Sequence, residues 1–178
     1  TNEVGNDLQR ELDANRNASI HKLRERFEEL RYISTPISNK QILELLCICI
    51  EMLARTTSQL DSSGVKISQE LNTTQVMALY AMLTNNNPKL ISEIETGEGK
   101  SRISMVLAAC QVSLGKTLDF MTSDMALAER DYLTYNAFFM SLDIRSSLIS
   151  LNTTKQLYQK GGVNFTDNSQ LLLLRNRS

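Results

Sequence analysis

From residue 89 onward the sequence alternates short strand-like runs with helical stretches, and this alternation restricts the fold more than any other feature. "KLISEIE" (89–95) alternates apolar and polar residues as a strand does, "TGEGKS" turns, and "SRISMVLAACQVSL" (101–114) carries the period of an amphipathic helix ending at Gly115, a good C-cap. "TLDFMT" (117–122) follows as a strand, "MALAERDYLTYNAFFMSL" (125–142) as a helix and "RSSLIS" (145–150) as a strand. "NTTKQLYQK" (152–160) predicts a helix closed by Gly161-Gly162, "VNFT" (163–166) a strand, and "NSQLLLLR" (168–175) a last helical stretch. Parallel strands cannot be joined by a hairpin and need a crossover, so the expectation is an α/β fold, a three-layer unit around a parallel sheet with right-handed connections.

Ahead of this part the pattern is helical. From Asp7 to about Ile33 the apolar residues Leu8, Leu12, Ile20, Leu23, Phe27 and Leu30 recur at threes and fours, which predicts one half-buried helix stopped by Thr35-Pro36. Ser38 with Gln41 has capping-box spacing and opens a second helix through about Arg55, apolar on nearly every side and so central. Residues 56–71, mixed in Ser, Thr and Gly, predict a connecting loop. Asn72 with Gln75 gives another capping spacing for a helix over 75–84, and "TNNNP" (84–88) breaks it. The expected division is an α-helical N-terminal extension, 1–60, followed by an α/β domain, 61–178.

The composition excludes several function classes. Nineteen Lys plus Arg against twenty Asp plus Glu leave no basic field to draw the chain onto nucleic acid or anionic lipid. "HKLRERFEELR" (21–31) reads as a solvated helix face. Its His21 is the sole histidine, so zinc spacing, a Ser-His-Asp triad and a Cys-His pair all lack their parts. Cys47 and Cys49 in one apolar run and Cys110 in another suit buried free thiols in a reducing, cytoplasmic setting. The longest apolar stretch, "ILELLCICIEMLA" (42–54), is shorter than the roughly 20 residues a membrane span needs and includes Glu44 and Glu51. No secretory leader is expected.

The turn "TGEGKS" is the candidate site. A phosphate loop turns a strand into a helix so that backbone N–H groups and the helix N-terminus converge on anionic oxygens. Gly97 and Gly99 clear side chains from that approach, Lys100 can reach the terminal phosphates, and the Ser101 hydroxyl can ligate Mg²⁺. A second Gly-Lys-Thr at 115–117 shows how weak spacing is alone. Gly115 closes a helix and leads into a strand, the wrong order for anion binding, whereas Gly99 follows a strand and opens a helix. The general pattern G-x-x-x-x-G-K-[ST] also wants a glycine at position 94, where this chain has Ile94. A structural turn stays open as the alternative.

A family pattern accounts for Ile94. "SEIETGEGKS" resembles the A-E-M-K-T-G-E-G-K-T motif of SecA, the preprotein translocase ATPase, with Thr96 to Ser101 matching except for Ser in place of Thr. "GKTLDFMTSDMALAERD" resembles G-K-G-V-x-V-V-T-V-N-D-Y-L-A-x-R-D through Gly115, Lys116, Thr122, Asp124, Leu127, Ala128, Arg130 and Asp131. "FFMSLDI" is similar to F-L-G-L-x-V, and "VNFTDNSQLLLLRN" to I-x-Y-x-T-x-x-E-x-x-F-D-Y-L-R-D-N. "LNTTQVMALYAML" resembles D-V-Q-L-x-G-G-x-x-L, whose glutamine recognises adenine, a role that would fall to Gln75 beside its place in the helix cap. The likeness covers about 70–176. The Gln75 to Lys100 interval is about one helical turn longer than the family's, and "SDMALAERD" has one residue more than N-D-Y-L-A-x-R-D.

The resemblance implies a P-loop, helicase-motor type of fold and a DEAD-like motor binding ATP or ADP with Mg. Gln75 would take the adenine, and Thr96, Gly97, Glu98, Gly99, Lys100 and Ser101 the phosphates, with Ser101 on Mg²⁺ and the Glu98 side chain turned to solvent. Residues 61–178 would then be a partial nucleotide-binding motor domain. Implied partners are further motor domains, a preprotein and a membrane translocon in a longer protein, in the cytoplasm or peripheral at the inner face of a membrane, with no nucleic acid. Residues 1–178 contain no Asp-Glu-Val-Asp segment to hold Mg²⁺ and orient water, so efficient hydrolysis by this chain alone is not expected. Arg130 and Asp131 are expected to form an ion pair at a helix start. The alternative is a motor-derived binding or effector module acting through protein contacts; a related nucleic-acid helicase is a third reading.

Overall fold

In the computed structural model of the chain the described residues are 2–33, 36–57, 59–60, 63–64, 66–67, 71–85, 100–150 and 158–167. Contacts divide the chain into two units, Thr1–Cys110 and Gln111–Ser178. The elements are α1 (Asn2–Arg16), α2 (Ile20–Arg31), α3 (Asn39–Thr56), β1 (Gln59–Leu60), β2 (Lys66–Ile67), α4 (Thr73–Thr84), α5 (Lys100–Ser113), β3 (Leu118–Thr122), α6 (Met125–Ser141), β4 (Ser146–Leu148) and β5 (Val163–Asp167).

In the first unit, α3 is the central helix that its apolar sequence predicts. Leu45, Leu46, Cys47, Cys49 and Met52 are fully buried, and α1, α2 and α4 each pack against it. The Ser38 hydroxyl accepts the Gln41 N–H at 3.2 Å while Gln41 Oε1 accepts the Ser38 N–H at 2.9 Å, closing the expected capping box.

The single helix expected over 7–33 is two helices. The chain turns at Asn17 and Ala18, and Ser19 restarts the helix by accepting the Lys22 N–H at 3.1 Å. The apolar period misses this break because Leu8 in α1 and Leu23, Phe27 and Leu30 in α2 are buried at compatible spacings on either side. What fixes the turn is a distant residue. Arg55 Nη2 donates to the Asn15 carbonyl at 2.9 Å and the Ala18 carbonyl at 2.7 Å, with Arg16 O at 3.3 Å, and Glu51 steadies Nε at 2.9 Å. A cation thus serves the carbonyls at the α1 C-terminus.

Residues 56–71 are not all loop. Gln59 pairs with Ile67 and Leu60 with Lys66 in a short antiparallel ribbon, too brief for alternation to reveal. Asn72 caps α4 as expected.

In the second unit β3, β5 and β4 form a parallel sheet in that order, with Phe120 opposite Phe165 and Leu148 opposite Phe165. β5 is the middle strand, and its Val163, Asn164, Phe165 and Thr166 are all buried. Its sequence shows no continuous apolar run because two buried positions are polar with dedicated partners. Thr166 Oγ1 donates to Ile149 O at 3.1 Å, and Asn164 ties the Gln159 backbone through both ends of its amide. Helix α6 packs on all three strands, bringing Phe139 and Tyr132 against Phe165, which also stacks on Phe120 at 5.4 Å.

The ends of α5 and α6 follow helix-termination chemistry. Gly115 N donates to Val112 O at 2.9 Å and Lys116 N to Gln111 O at 3.0 Å, a Schellman motif with Gly115 at φ +91°. Asp143, at φ +55°, ends α6 in the same way with Ile144 N on Phe139 O.

The strand expected over 89–95 and the helix over 168–175 lie outside the described residues. So does most of the helix expected over 152–160; its described end, Tyr158 to Lys160, is not helical. There the Tyr158 hydroxyl donates to both Asp119 carboxylate oxygens, at 2.8 and 2.9 Å, holding the segment against the start of β3 by a side-chain network.

Candidate functional site

Of the expected site residues, Thr96, Gly97, Glu98 and Gly99 lie outside the described residues. Lys100 and Ser101 are the first two residues of α5. They begin a 14-residue helix whose first turn has no acidic residue. The first N–H groups of any helix have no intrahelical acceptor, and the macrodipole there favours an anion.

Gln75 sits at the third position of α4. Its Oε1 accepts the Asn72 N–H at 3.0 Å and its N–H donates to Asn72 Oδ1 at 2.8 Å, so the capping role is present. The second Gly-Lys-Thr, at 115–117, stands between the end of α5 and the start of β3, the order that denies it an anion-binding helix N-terminus.

A further charged residue directly follows Lys100 and Ser101. Arg102, in the first turn of α5, is 6% exposed and held by interactions within the fold.

Arg130 and Asp131 do form the expected ion pair, at 3.5 Å near the start of α6. Burial pushes the Asp131 carboxyl above its ordinary range, and Arg130 opposes that only in part. The three cysteines are buried free thiols. Burial pushes Cys49 well up, with a hydrogen bond to Cys110 adding to the effect, and burial likewise raises Cys47. The raised values of Cys47 and Cys49 keep these two as thiols rather than reactive thiolates.

A groove of about 430 Å³ lies elsewhere, between α1, α2 and α3, and includes Glu11, Asn15, Lys22, Arg26 and Glu44. Arg26 bridges Glu29 at 2.8 Å and Glu44 at 2.7 Å, hydrogen bonds that raise its pKa further. No expected nucleotide residue lines the groove. Among the described residues no cluster of His, Cys, Asp and Glu could hold a metal ion, and no helix is long and apolar enough to cross a membrane.

A mixed α/β chain with a parallel sheet, in which Lys100 and Ser101 begin a helix, has the fold of a DEAD-like motor of the helicase type. The family model described as the SecA DEAD-like domain matches residues 2–172, which takes in α1 to α3 as well as the α/β part. The chain belongs to the SecA DEAD-like domain family, a motor ATPase region associated with nucleotide binding and protein translocation. No curated protein matches the chain.

Proposed function

We propose that the chain is the ATP-binding portion of a SecA-type translocation motor, with Mg-nucleotide held by Thr96 to Ser101. The carrying observation is that Lys100 and Ser101 begin an acid-free first helical turn within a chain matched by the family almost throughout. In this reading residues 61–178 are the nucleotide-binding part and 1–60 the helical part before it. The loop amides and the α5 N-terminus cradle the phosphates, and Lys100 neutralises the β and γ groups. Ser101 would ligate Mg²⁺, which would supply positive charge to offset that of the phosphates. Gln75 uses Oε1 for the cap and has Nε2 as a donor suited to an adenine ring nitrogen. Further motor domains, a preprotein and a translocon are the partners this places beside a longer protein, at the inner face of a membrane.

Titration with a fluorescent ATP analogue and Mg²⁺ tests the reading. Saturable binding that weakens at least about tenfold in Lys100→Ala is expected, because a charged hydrogen-bond partner of the phosphates is lost. No binding, or binding indifferent to Lys100→Ala, would favour the module that acts through protein contacts. Salt-sensitive binding of RNA or DNA would favour the helicase.

A further inference from the structure

We propose that the groove between α1, α2 and α3 is a binding site for a free basic amino acid, taking its cationic side chain on Glu11 and Glu25 and its carboxylate on Lys22 and Asn15. The site lies within the first unit and stands independently of the nucleotide reading.

Two helical stripes wall the groove. Glu11, Ala14 and Asn15 on α1 continue to Ala18 in the turn, and Lys22, Glu25, Arg26 and Glu29 follow one face of α2 at the same spacing of threes and fours. Leu23, with Glu44 and Ile48 of α3, completes the lining. The volume of about 430 Å³ is in the range of small-molecule sites. Ala14 and Ala18 have no long side chains to fill it, and with Leu23 and Ile48 they offer apolar surface to a methylene stem.

The polar groups fix the class of ligand. Four glutamates stand in the lining against Lys22 and Arg26. Arg26 is held by Glu29 at 2.8 Å and Glu44 at 2.7 Å, whereas Glu11, Glu25 and the Lys22 ammonium make no ion pair among the described residues. A concave site with excess carboxylate focuses its field and draws a cation. Asn15 Nδ2 is a buried donor without an acceptor, and its residue is fixed in place because Arg55 holds the Asn15 carbonyl at 2.9 Å. A ligand oxygen supplies what that donor lacks.

These demands differ in sign, and that narrows the choice. A ligand made only of ammonium groups answers Glu11 and Glu25 but has no acceptor for Asn15 or Lys22. A simple carboxylate is repelled by the glutamates. A basic amino acid has a cation at one end, an acceptor at the other and a methylene stem between them, with a net positive charge.

The test titrates L-arginine, L-lysine, agmatine, which lacks the carboxylate, and L-norvaline, which lacks the side-chain cation, into the chain by calorimetry. Arginine and lysine should bind saturably and about tenfold more tightly than norvaline, since a charged partner is lost in the last. Glu25→Gln and Glu11→Gln should each weaken arginine and agmatine alike, by about fivefold. Lys22→Met should weaken arginine by about fivefold and leave agmatine unchanged or more tightly bound, because only arginine has the carboxylate. Lys22 and Glu25 are exposed, so these variants keep the fold, and a general structural loss would move arginine and agmatine together. No saturable binding of either basic amino acid, or equal weakening of arginine and agmatine by Lys22→Met, would overturn the assignment. So would N-acetyl-arginine amide bound as tightly as arginine, which would make the groove a surface for a basic peptide.

Discussion

Removing the Arg55 side chain tests how a residue distant in sequence holds the turn between α1 and α2. In Arg55→Met the stem is kept and the guanidinium is lost, together with its bonds to Asn15 O at 2.9 Å, Ala18 O at 2.7 Å and Glu51 at 2.9 Å. A hydrogen bond to a charged group contributes about 1.5–3 kcal/mol. The two carbonyls regain partial contact with water at this half-exposed turn, so their combined loss is nearer 2 kcal/mol. Glu51, 15% exposed, is left as a half-buried charge without its cation, which adds about 1 kcal/mol after allowance for its remaining hydration. The expected loss is about 3 kcal/mol, read as a lower urea midpoint at unchanged slope by far-UV circular dichroism. Adding Glu51→Gln to Arg55→Met should recover about 1 kcal/mol, because the stranded charge is gone. A loss below about 0.5 kcal/mol would show that Arg55 behaves as an ordinary surface cation and does not fasten the turn.

Two further outcomes follow from local geometry. A Cβ on Gly162 would overlap the backbone carbonyl of Arg145, which also accepts the Val163 N–H at 2.9 Å where β4 meets β5, so Gly162→Ala should lower stability by about 2–4 kcal/mol; an unchanged thermal midpoint would refute this. The raised pKa of Asp131 means the folded chain prefers the protonated acid, so its contribution is complete below the unfolded-state pKa and is lost as pH rises through the folded one. Asp131→Asn should therefore raise the melting temperature at pH 7 and have little effect near pH 3, and a shift of equal size at both would count against burial as the cause.

The helix caps near the candidate site could be read before any coordinates. The order of helix, Gly115 and strand distinguishes the second Gly-Lys-Thr from the first, and the structure has that order because Gly115 alone in its neighbourhood takes φ +91° freely. Gln75 could be placed in a capping box from its distance to Asn72, since that bond is made within one turn. Arg102 was not legible as buried, because burial depends on which face of α5 the rest of the fold covers. The same limit hid the break at Ser19: a three-and-four spacing can continue across two helices when both bury their apolar stripes.

The sequence by itself determined the elements that close within a few residues: the caps at Ser38 and Asn72, the Schellman end at Gly115, the central apolar helix α3, and the strands that form β3, β4 and β5. It also determined the family, through residues whose order along the chain matches the motor's. Tertiary structure decided what depends on distant partners. It placed β5 between β3 and β4, carried Asn164 and Tyr158 onto Asp119, paired Thr166 with Ile149 inside the sheet, and brought Arg55 to the end of α1. The physical reason is reach, since a hydrogen bond within one turn is specified by spacing alone, whereas one between residues forty apart exists only once the core has brought them together.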